Sequence, residues 1–333
     1  NDLAISTNGV FTFTTPIASG AAYAVTVATQ PTNPSQTCTV SNGTGNVASA
    51  SVNVAVNCVT NTYTIGVTVS GLSGAGLVLQ NNLGNDLPIP ANGTFTFTTP
   101  IASGAPFSVT VLTQPNTPTQ ACTVTNGSAN VGGGNVNVAV ACVTGSFTIG
   151  GTITGLSGLG LVLRNNGGND LPVSANGTFT FTTPVASGAA YAVTVSTQPA
   201  TPTQTCTVTS GSGTVGGASV ATVAVNCVTN TYAIKVAVTG LLGTGLVLRN
   251  NGGDNLAVSA NGTFTFTTLV ASGAPYAVTV FTQPATPTQT CTPTNGSANV
   301  GGSDVTVAVN CTTSTFTIGG TITGLAGTGL VLR

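Results

Sequence analysis

The feature that most constrains this chain is a tandem repeat of about 84 residues, marked by four pairs of cysteines. First members of successive pairs are 84, 84 and 85 residues apart, and the spacing within pairs is 20, 20, 21 and 20 residues. Solenoid repeats have only about 20 to 50 residues, so this period suits small domains in series. The pairs are Cys38 with Cys58, Cys122 with Cys142, Cys206 with Cys227, and Cys291 with Cys311.

Recurring phrases divide the chain into repeats. Thr-Gln-Pro begins at residues 29, 113, 197 and 282, and Gly-Leu-Val-Leu begins at 76, 160, 245 and 329. Asn-Gly-Thr-Phe-Thr-Phe begins at 92, 176 and 261. We expect repeat 1 at 1–60, lacking its first two strands, repeat 2 at 61–144, repeat 3 at 145–229, repeat 4 at 230–313, and the first two strands of a following repeat at 314–333.

Within a repeat the apolar residues alternate with polar ones. Phe95 and Phe97 alternate with threonine, and the valines of 136–140 alternate with polar or small residues. This period of two is typical of strands with one buried face. Turn signals at intervals of about 8 to 12 residues separate the strands. The sequence predicts an all-β fold: a tandem array of about 84-residue, seven-stranded, antiparallel Ig-like β-sandwiches with one disulfide each. In repeat 2 the strands are expected near 62–70, 76–81, 86–89, 94–99, 106–112, 121–126 and 134–142.

The members of each cysteine pair are expected to bond to each other. Both cysteines share sequence parity with neighbouring valines and therefore face the core, and a Gly-containing turn between them returns the chain. Closing a loop of this size contributes about 3 kcal/mol. Reduced buried thiols and metal sites are the alternatives, although no other metal ligands accompany the cysteines. The extra residue of repeat 3, within 219–223, predicts a β-bulge.

Charge excludes most catalytic chemistry. Only 3% of the residues are charged, with 4 Lys+Arg, 5 Asp+Glu and no His. Acid-base catalysis, nucleophilic triads and His-containing metal sites need residue types that are absent or occur singly. A net charge of -1 without a basic patch argues against nucleic acid. Apolar runs are too short to cross a membrane. We expect no enzyme activity, cofactor, metal, nucleic-acid partner or membrane span.

Three recurring motifs each have two interpretations. Asn-Gly-Thr and Asn-Gly-Ser match the glycosylation sequon, but we favour turns in which the Asn-Gly pair supplies a positive φ. Asp2, Asp86 and Asp170 recur at one position without companion carboxylates, so we expect turn caps rather than a Ca2+ site. Thr-Gln-Pro-x-x-Pro is either a polyproline ligand or, as we favour, a stiff crossover between two sheets.

Part of each repeat resembles a known family. The stretches 160–166, 173–181 and 189–195 contain an apolar strand, an Asn/Gly turn, Gly-x-Phe-x-Phe and Ala-x-Tyr-x-Val-x-Val. This pattern resembles the transthyretin-like, collagen-adhesin B-type sandwich and covers about half of a repeat, while the half with the cysteines departs from it. The resemblance implies a stalk on a bacterial surface. Some family members carry Lys-Asn isopeptide bonds, but Lys235 is the one lysine here, so such bonds are not general. The whole repeat also resembles Ig-like arrays of large secreted bacterial proteins.

The leading hypothesis is an extracellular bacterial filament or fibre with a mechanical function. The alternative is the spacer stalk of a large adhesin, and a carbohydrate-binding module is third because the chain has no Trp and 5 Tyr. Only 59–62 separate Cys58 from the next strand, which predicts a stiff array. Near-zero charge and a mean hydropathy of +0.42 favour self-association, including lateral bundling.

The two ends of the chain carry complementary apolar alternation. Repeat 1 is expected to have an open edge, and 315–333 carries the pattern of the strands that repeat 1 lacks. We therefore predict a head-to-tail homopolymer, formed by strand donation between chains or by one continuous polypeptide. The predicted polymer contacts are Phe11, Phe13, Tyr23, Val25, Phe316, Ile318, Leu330 and Leu332.

Overall fold

The computed structural model describes all residues from 1 to 333 and contains 34 β-strands and no helix. The chain divides into two compact units, and the division passes through repeat 3, so the repeat boundaries expected from the sequence stay a prediction. The first unit comprises Asn1–Thr148, Pro184–Ala190 and Thr214–Ser219, and the second comprises Ile149–Thr183, Tyr191–Gly213 and Val220–Arg333.

The strands are short and follow one another at the intervals expected from the turn signals. Up to residue 148 they are β1 (Ala22–Ala24), β2 (Gln36–Ser41), β3 (Thr44–Asn46), β4 (Ala55–Thr60), β5 (Thr62–Tyr63), β6 (Ile65–Ser70), β7 (Leu77–Asn81), β8 (Asn85–Ile89), β9 (Gly93–Thr96), β10 (Ile101–Ala102), β11 (Pro106–Thr113), β12 (Gln120–Thr125), β13 (Ser128–Asn130), β14 (Val136–Thr144) and β15 (Ser146–Phe147). The remaining strands are β16 (Ile149–Thr154), β17 (Leu161–Asn165), β18 (Asn169–Val173), β19 (Gly177–Thr180), β20 (Val185–Ala186), β21 (Ala190–Thr197), β22 (Gln204–Thr209), β23 (Ser212–Thr214), β24 (Val220–Thr229), β25 (Thr231–Tyr232), β26 (Ile234–Thr239), β27 (Leu246–Asn250), β28 (Asp254–Val258), β29 (Gly262–Thr265), β30 (Val270–Ala271), β31 (Pro275–Thr282), β32 (Gln289–Thr294), β33 (Ser297–Asn299) and β34 (Val305–Thr313).

Repeat 2, in the first unit, is a sandwich of two four-stranded sheets. Their strand orders are β12-β14-β6-β9 and β13-β11-β7-β8, and the short pair β5-β10 lies beside them. Alternate residues of β6, namely Ile65, Val67 and Val69, are buried in the core. The fold class expected from the sequence is confirmed, with β10 and β13 as additional short strands and β5 separated from β6 at Thr64.

One pairing differs from the expected antiparallel arrangement. The first long strand of repeat 2, β6, pairs in parallel with the last strand, β14, with Val67 opposite Val138. Parallel neighbours need a long connection between them, and here nearly the whole repeat is that connection. The expectation of an entirely antiparallel sandwich was wrong because residues some 70 positions apart decide this pairing.

Repeats 3 and 4 have the same two sheets. In the second unit, repeat 3 forms β19-β16-β24-β22 and β18-β17-β21-β23, and repeat 4 forms β29-β26-β34-β32 and β28-β27-β31-β33. In repeat 3, Ile149 lies opposite Val220 and Gly151 lies opposite Val223, so β24 has one more residue than β16 over this interval. The bulge predicted within 219–223 is thereby confirmed.

Repeat 1, in the first unit, is open. It consists of two separate two-stranded sheets, β1-β3 and β2-β4, and no strand lies on the free side of β4. Val56 on β4 is 42% exposed, whereas the equivalent Val140 on β14, which β6 covers, is 1% exposed. Cys58 is likewise exposed, while its counterparts Cys142 and Cys227 are buried. The missing first strand accounts for these differences.

Each repeat contains one disulfide, as expected. The bonds join Cys38 to Cys58, Cys122 to Cys142, Cys206 to Cys227 and Cys291 to Cys311, and no cysteine is free. In repeat 2 the two cysteines lie directly opposite each other on β12 and β14. Every disulfide thus fastens the penultimate long strand of a repeat to its last strand.

The Asn-Gly turns are of two kinds, and each contains the positive φ expected of an Asn-Gly pair. Asn42, Asn126 and Asn295 have positive φ values of 54° to 55°. At the Asn-Gly of 92–93 it is Gly93 that has the positive φ. There the Asn92 amide instead pairs with the backbone of Leu72, accepting its N–H at 2.7 Å and donating to its carbonyl at 2.8 Å.

Replacing both Cys122 and Cys142 by alanine should lower the stability of repeat 2 by roughly 2 to 5 kcal/mol, because the unfolded chain regains the entropy of the opened loop. Hydrogen exchange with denaturant should report the loss in β12 and β14 and leave β32 and β34 of repeat 4 unchanged. The same double change in repeat 4 serves as the matched control. Unaltered protection in β12 and β14 would contradict the stabilising role of the disulfide.

Candidate functional site: the junctions between repeats

The junctions between consecutive repeats are the most elaborate polar sites of the chain. At the first junction only Asn61 lies between β4 of repeat 1 and β5 of repeat 2. Its N–H donates to the carbonyl of Ser35 at 2.9 Å, and its carbonyl accepts from the N–H of Ser103 at 2.8 Å. The linking residue is therefore hydrogen-bonded to the repeat before it and to the repeat after it.

A buried serine of the following repeat completes this junction. The N–H of Ser35 donates to Oγ of Ser103 at 2.9 Å, and this hydroxyl donates to the carbonyl of Gly132 at 2.7 Å. Ser103 is 6% exposed, so its hydroxyl makes both of these hydrogen bonds from a buried position. The hydroxyl of Ser35 also lies 2.9 Å from that of Tyr63. Two repeats thus share one continuous hydrogen-bond network.

The second junction, also within the first unit, repeats the backbone part of this network. Thr119 donates its N–H to Oγ of Ser187 at 2.9 Å and accepts from the N–H of Gly145 at 3.0 Å. The N–H of Ser187 donates to the carbonyl of Gly145 at 2.8 Å. Phe147 occupies the place of Tyr63, so the tyrosine hydroxyl has no counterpart at this junction.

The third junction lies within the second unit and restores the tyrosine. Thr203 donates its N–H to Oγ of Ser272 at 3.0 Å, and its hydroxyl lies 3.0 Å from that of Tyr232. Oγ of Ser272 donates to the carbonyl of Gly301 at 2.8 Å, and the linking residue Asn230 bonds to Thr203 and Ser272 as Asn61 does at the first junction. The same arrangement therefore occurs three times.

A proline packs against a glycine at each junction. At the second junction a Cβ on Gly188 would lie 3.2 Å from Cβ of Pro118, and the φ of Gly188 is +82°. Any side chain there would be strained by the backbone and crowded by the proline. The other two pairs are Gly104 with Pro34 and Gly273 with Pro202, at 3.4 Å and 3.3 Å.

The crossover that presents this proline is held by two glutamines. Residues 114–119 join β11 of one sheet to β12 of the other, which confirms the expected crossover. The amide of Gln114 bonds to both the N–H and the carbonyl of Cys122. The buried amide of Gln120 accepts from the N–H groups of Ser73 and Gly74 and donates to Gly71 and Thr144. These bonds fix the crossover to the disulfide strand and to the β6–β7 turn.

The few charged side chains lie at the surface, some on strands and some outside them. Asp170 pairs with Arg164 and Asp86 accepts from Gln80, so both aspartates bond across strands and the expectation of turn caps was wrong. The hydrogen bond from Arg164 lowers the pKa of Asp170. The pKa of Asp304 is lowered by a hydrogen bond from Lys235, 2.8 Å away, and by the backbone N–H of Ala233. These pairs orient side chains and offer no catalytic group.

The predicted polymer contacts lie in open parts of the chain. Phe11 and Phe13 are half-buried and meet edge to face with their ring centroids 6.1 Å apart. Tyr23 lies on β1, and Val25 donates its N–H to the carbonyl of Gly43. The four predicted contacts near the C-terminus are exposed and belong to no strand: Phe316, Ile318, Leu330 and Leu332.

Sequence reasoning missed the junction serines. Ala-Ser-Gly is a turn signal by composition, and the same three residues recur at 102–104, 186–188 and 271–273. Recurrence of serine at one position of each turn was the available signal. The structure contains no group of three or more potential metal-ligating side chains and no helix with the length and hydrophobicity of a membrane span.

Comparison with known proteins gives structural likenesses and no family. No family model matches the chain, and neither does any curated protein. Among solved structures, the chain is similar to the Bacillus anthracis TIE protein, with 12% identity, a TM-score of 0.44, and coverage of 78% of this chain and 54% of that one. It thus spans about half the length of that protein.

Two further likenesses have lower TM-scores. The pilus adhesin SpaC from Lactobacillus rhamnosus GG is 10% identical, with a TM-score of 0.24 over 88% of this chain and 55% of that one. Two B repeat units of the collagen binding protein of Staphylococcus aureus are 14% identical, with a TM-score of 0.23 over 82% and 88%. These units of the Staphylococcus aureus protein are of the B-repeat type that the sequence resembles. TM-scores this low carry no argument about function.

Replacing Ser272 by alanine should loosen the third junction. The change leaves the N–H of Thr203 and the carbonyl of Gly301 without their partner, at a local cost of about 1 to 3 kcal/mol. We expect the amide of Thr203 to exchange faster than in the natural chain, and the exchange rates in β26 and β34 to stay the same. Ser303→Ala, at an exposed position two residues after Gly301, is the control. Equal exchange at Thr203 in both variants would contradict the role of Ser272.

Thermal stability should be nearly independent of pH between about pH 5 and about pH 8, because the chain has no His and no Glu. The folded pKa values of Asp170 and Asp304 are lowered, so their stabilising contribution is present above the unfolded value of about 3.9 and is lost as the pH falls through the folded values. Unfolding midpoints measured by circular dichroism should decline only below about pH 4. A fall in the midpoint between pH 8 and pH 5 would contradict this account.

Proposed function

We propose that the chain is a structural segment of an extracellular bacterial filament or surface fibre. Its repeats act as mechanical units that are linked end to end. The observation that carries this proposal is the threefold recurrence of one junction, in which a single linking residue bonds to both of its neighbours. A linker saturated in this way has little freedom to act as a flexible tether.

The disulfides support an extracellular location. Four bonds and no free cysteine are typical of proteins from oxidising compartments. A covalent link between the last two long strands also suits a mechanical role, because it ties together the strand that leads directly into the next repeat. The bacterial source follows from the sequence resemblance to B-type repeats and Ig-like arrays.

The composition supports a function without catalysis. The chain has no His, and its charged residues make up 3% of the total. The buried polar side chains, including Gln120 and Ser103, are engaged in hydrogen bonds that hold the fold and the junctions. None of these groups is positioned as an acid, a base or a nucleophile for a bound substrate.

Growth of the fibre requires that repeat 1 be closed. The exposed edge of β4 has the place that β6 fills beside β14 in repeat 2, where the pairing is parallel. Residues 314–333 of a neighbouring chain have a related apolar alternation, in which Ile318 is equivalent to the buried Ile65 and Gly320 is equivalent to Val67. Strand donation from another chain, or one continuous polypeptide, would supply the first strand and give a head-to-tail polymer.

A spacer stalk of a large adhesin is the second candidate. It is favoured by the closed sandwiches of repeats 2 and 4, whose cores are complete without any other chain. The stalk would use the same junctions, with the binding function located elsewhere on the polypeptide.

Imaging of native material separates the two candidates. Negative-stain microscopy should show long uniform fibres, whereas single tethers ending on a surface would favour the stalk. On a denaturing gel, fibres made by strand donation should separate into individual chains of one uniform size, and a continuous array should remain a single, far larger species. Monodisperse particles of a single chain in native material would contradict the fibre proposal.

If fibres form by strand donation, Ile318→Asp should abolish them, because the aspartate would enter a position that is fully buried in the equivalent Ile149. Thr321→Asp is the matched control, since the equivalent Thr152 is exposed. Sedimentation of both purified variants at several concentrations measures the effect. Equal polymerisation of the two variants would contradict strand donation.

A further inference from the structure

The segment that would donate a strand copies repeat 3 and not the other repeats. Residues 316–325 are identical, letter for letter, to 147–156. The equivalent residues of repeats 2 and 4 differ after the shared isoleucine, where they have Gly66-Val67 and Lys235-Val236 in place of the diglycine. The segment at 316–325 has the diglycine, at 319–320.

Each glycine of the repeat 3 diglycine lies against backbone, Gly151 against the bulged strand β24 and Gly150 against β19 on the other side of β16. A Cβ on Gly151 would lie 1.7 Å from the carbonyl oxygen of Val223, and a Cβ on Gly150 would lie 2.4 Å from that of Phe179. Both obstacles are backbone atoms, which cannot move aside as a side chain would. In repeat 2 the equivalent Val67 fits without a bulge and is fully buried opposite Val138.

The two kinds of first strand each occur with one kind of last strand. In repeat 3 the last cysteine, Cys227, follows Val215 by 12 residues, whereas the equivalent separation in repeats 2 and 4 is 11 residues. The longer last strand of repeat 3 pairs with the diglycine, and the last strands of repeats 2 and 4 pair with a valine. In repeat 1 the separation is 11 residues, from Val47 to Cys58.

We infer that 316–324 is built to pair with a bulged last strand of the repeat 3 type, and that β4 is built to receive a first strand with valine at its third position. This inference rests on the proposed function and narrows it, because the tail of one chain and β4 of an identical chain form a mismatched pair, and each is matched by a strand of the other type. Diglycine beside the short β4 leaves a gap where Val67 packs in repeat 2. Valine beside a bulged strand meets backbone. A bulged last strand therefore accepts a first strand with diglycine, and a last strand without a bulge accepts a first strand with valine. This preference disfavours the exchange of first strands between repeats of the two types.

The first experiment tests the rule inside repeat 3 of the full chain. Gly151→Val should lower the unfolding midpoint of repeat 3 by about 10 °C and remove exchange protection from β16. Combining it with Ala221→Asn and deletion of Thr222 shortens 219–227 to eight residues with the sequence of 51–58, Ser-Val-Asn-Val-Ala-Val-Asn-Cys. This combination should restore most of the lost stability. The change in β24 alone is the control and should also destabilise. If Gly151→Val lowers the unfolding midpoint of repeat 3 equally with the natural β24 and with the shortened β24, the rule is overturned.

The second experiment tests the contact between chains with four proteins that each comprise residues 1–333. They are the natural chain, Gly320→Val, Asn53→Ala with a threonine inserted after it, and the combination. The insertion gives repeat 1 the strand sequence of 219–227. Each single change creates a matched pair and should tighten association, measured by sedimentation, by about tenfold or more. The combination sets valine against a bulge and should associate more weakly than the natural chain.

The outcomes separate the inference from the proposed function. Weaker or unchanged association of both single variants would overturn the inferred partner preference. No association in any of the four chains would overturn strand donation itself, while the repeat 3 variants still decide whether diglycine and bulge are matched.

Discussion

The parallel pairing of the first long strand with the last strand is the contact on which each repeat depends. In repeat 2 it places β6 over β14, and this covers both the core valines and the disulfide. In repeat 1 the first strand is missing, and the corresponding valine and cysteine are exposed. Without equivalents of β6 and β7, repeat 1 consists of two separate two-stranded sheets, whereas repeat 2 is a closed sandwich.

The same ladder explains why the junctions can be so short. Because the last strand runs parallel to its own first strand, it ends at the far end of the sandwich, where the next repeat begins after one linking residue. The serine of the Ala-Ser-Gly turn then fixes this residue and the preceding crossover by hydrogen bonds to the backbone. Neutral amides and hydroxyls do this work in a chain with very few charges, and their bonds are insensitive to salt and to moderate pH.

Local patterns predicted much of the fold. Alternation of apolar residues located the strands, and the parity of cysteines with neighbouring valines identified the disulfide partners, because both signals lie within a few residues of sequence. The extra residue between Cys206 and Cys227 likewise predicted the bulge in β24. The parallel pair and the Ser103 contact with Ser35 join residues about 70 positions apart, and no local pattern encodes such a partner. Asn42 and Asn92 look alike in sequence, yet one supplies a positive φ and the other a side-chain cap.

The central claim is that an incoming first strand closes repeat 1 in the assembled protein. Electron cryo-microscopy of native fibres at a resolution that separates neighbouring strands tests this claim most directly. The account predicts a strand running parallel to Ala55–Thr60 on its free side, with Cys58 covered as Cys142 is in repeat 2. Fibres in which that side of Ala55–Thr60 remains unpaired would contradict it.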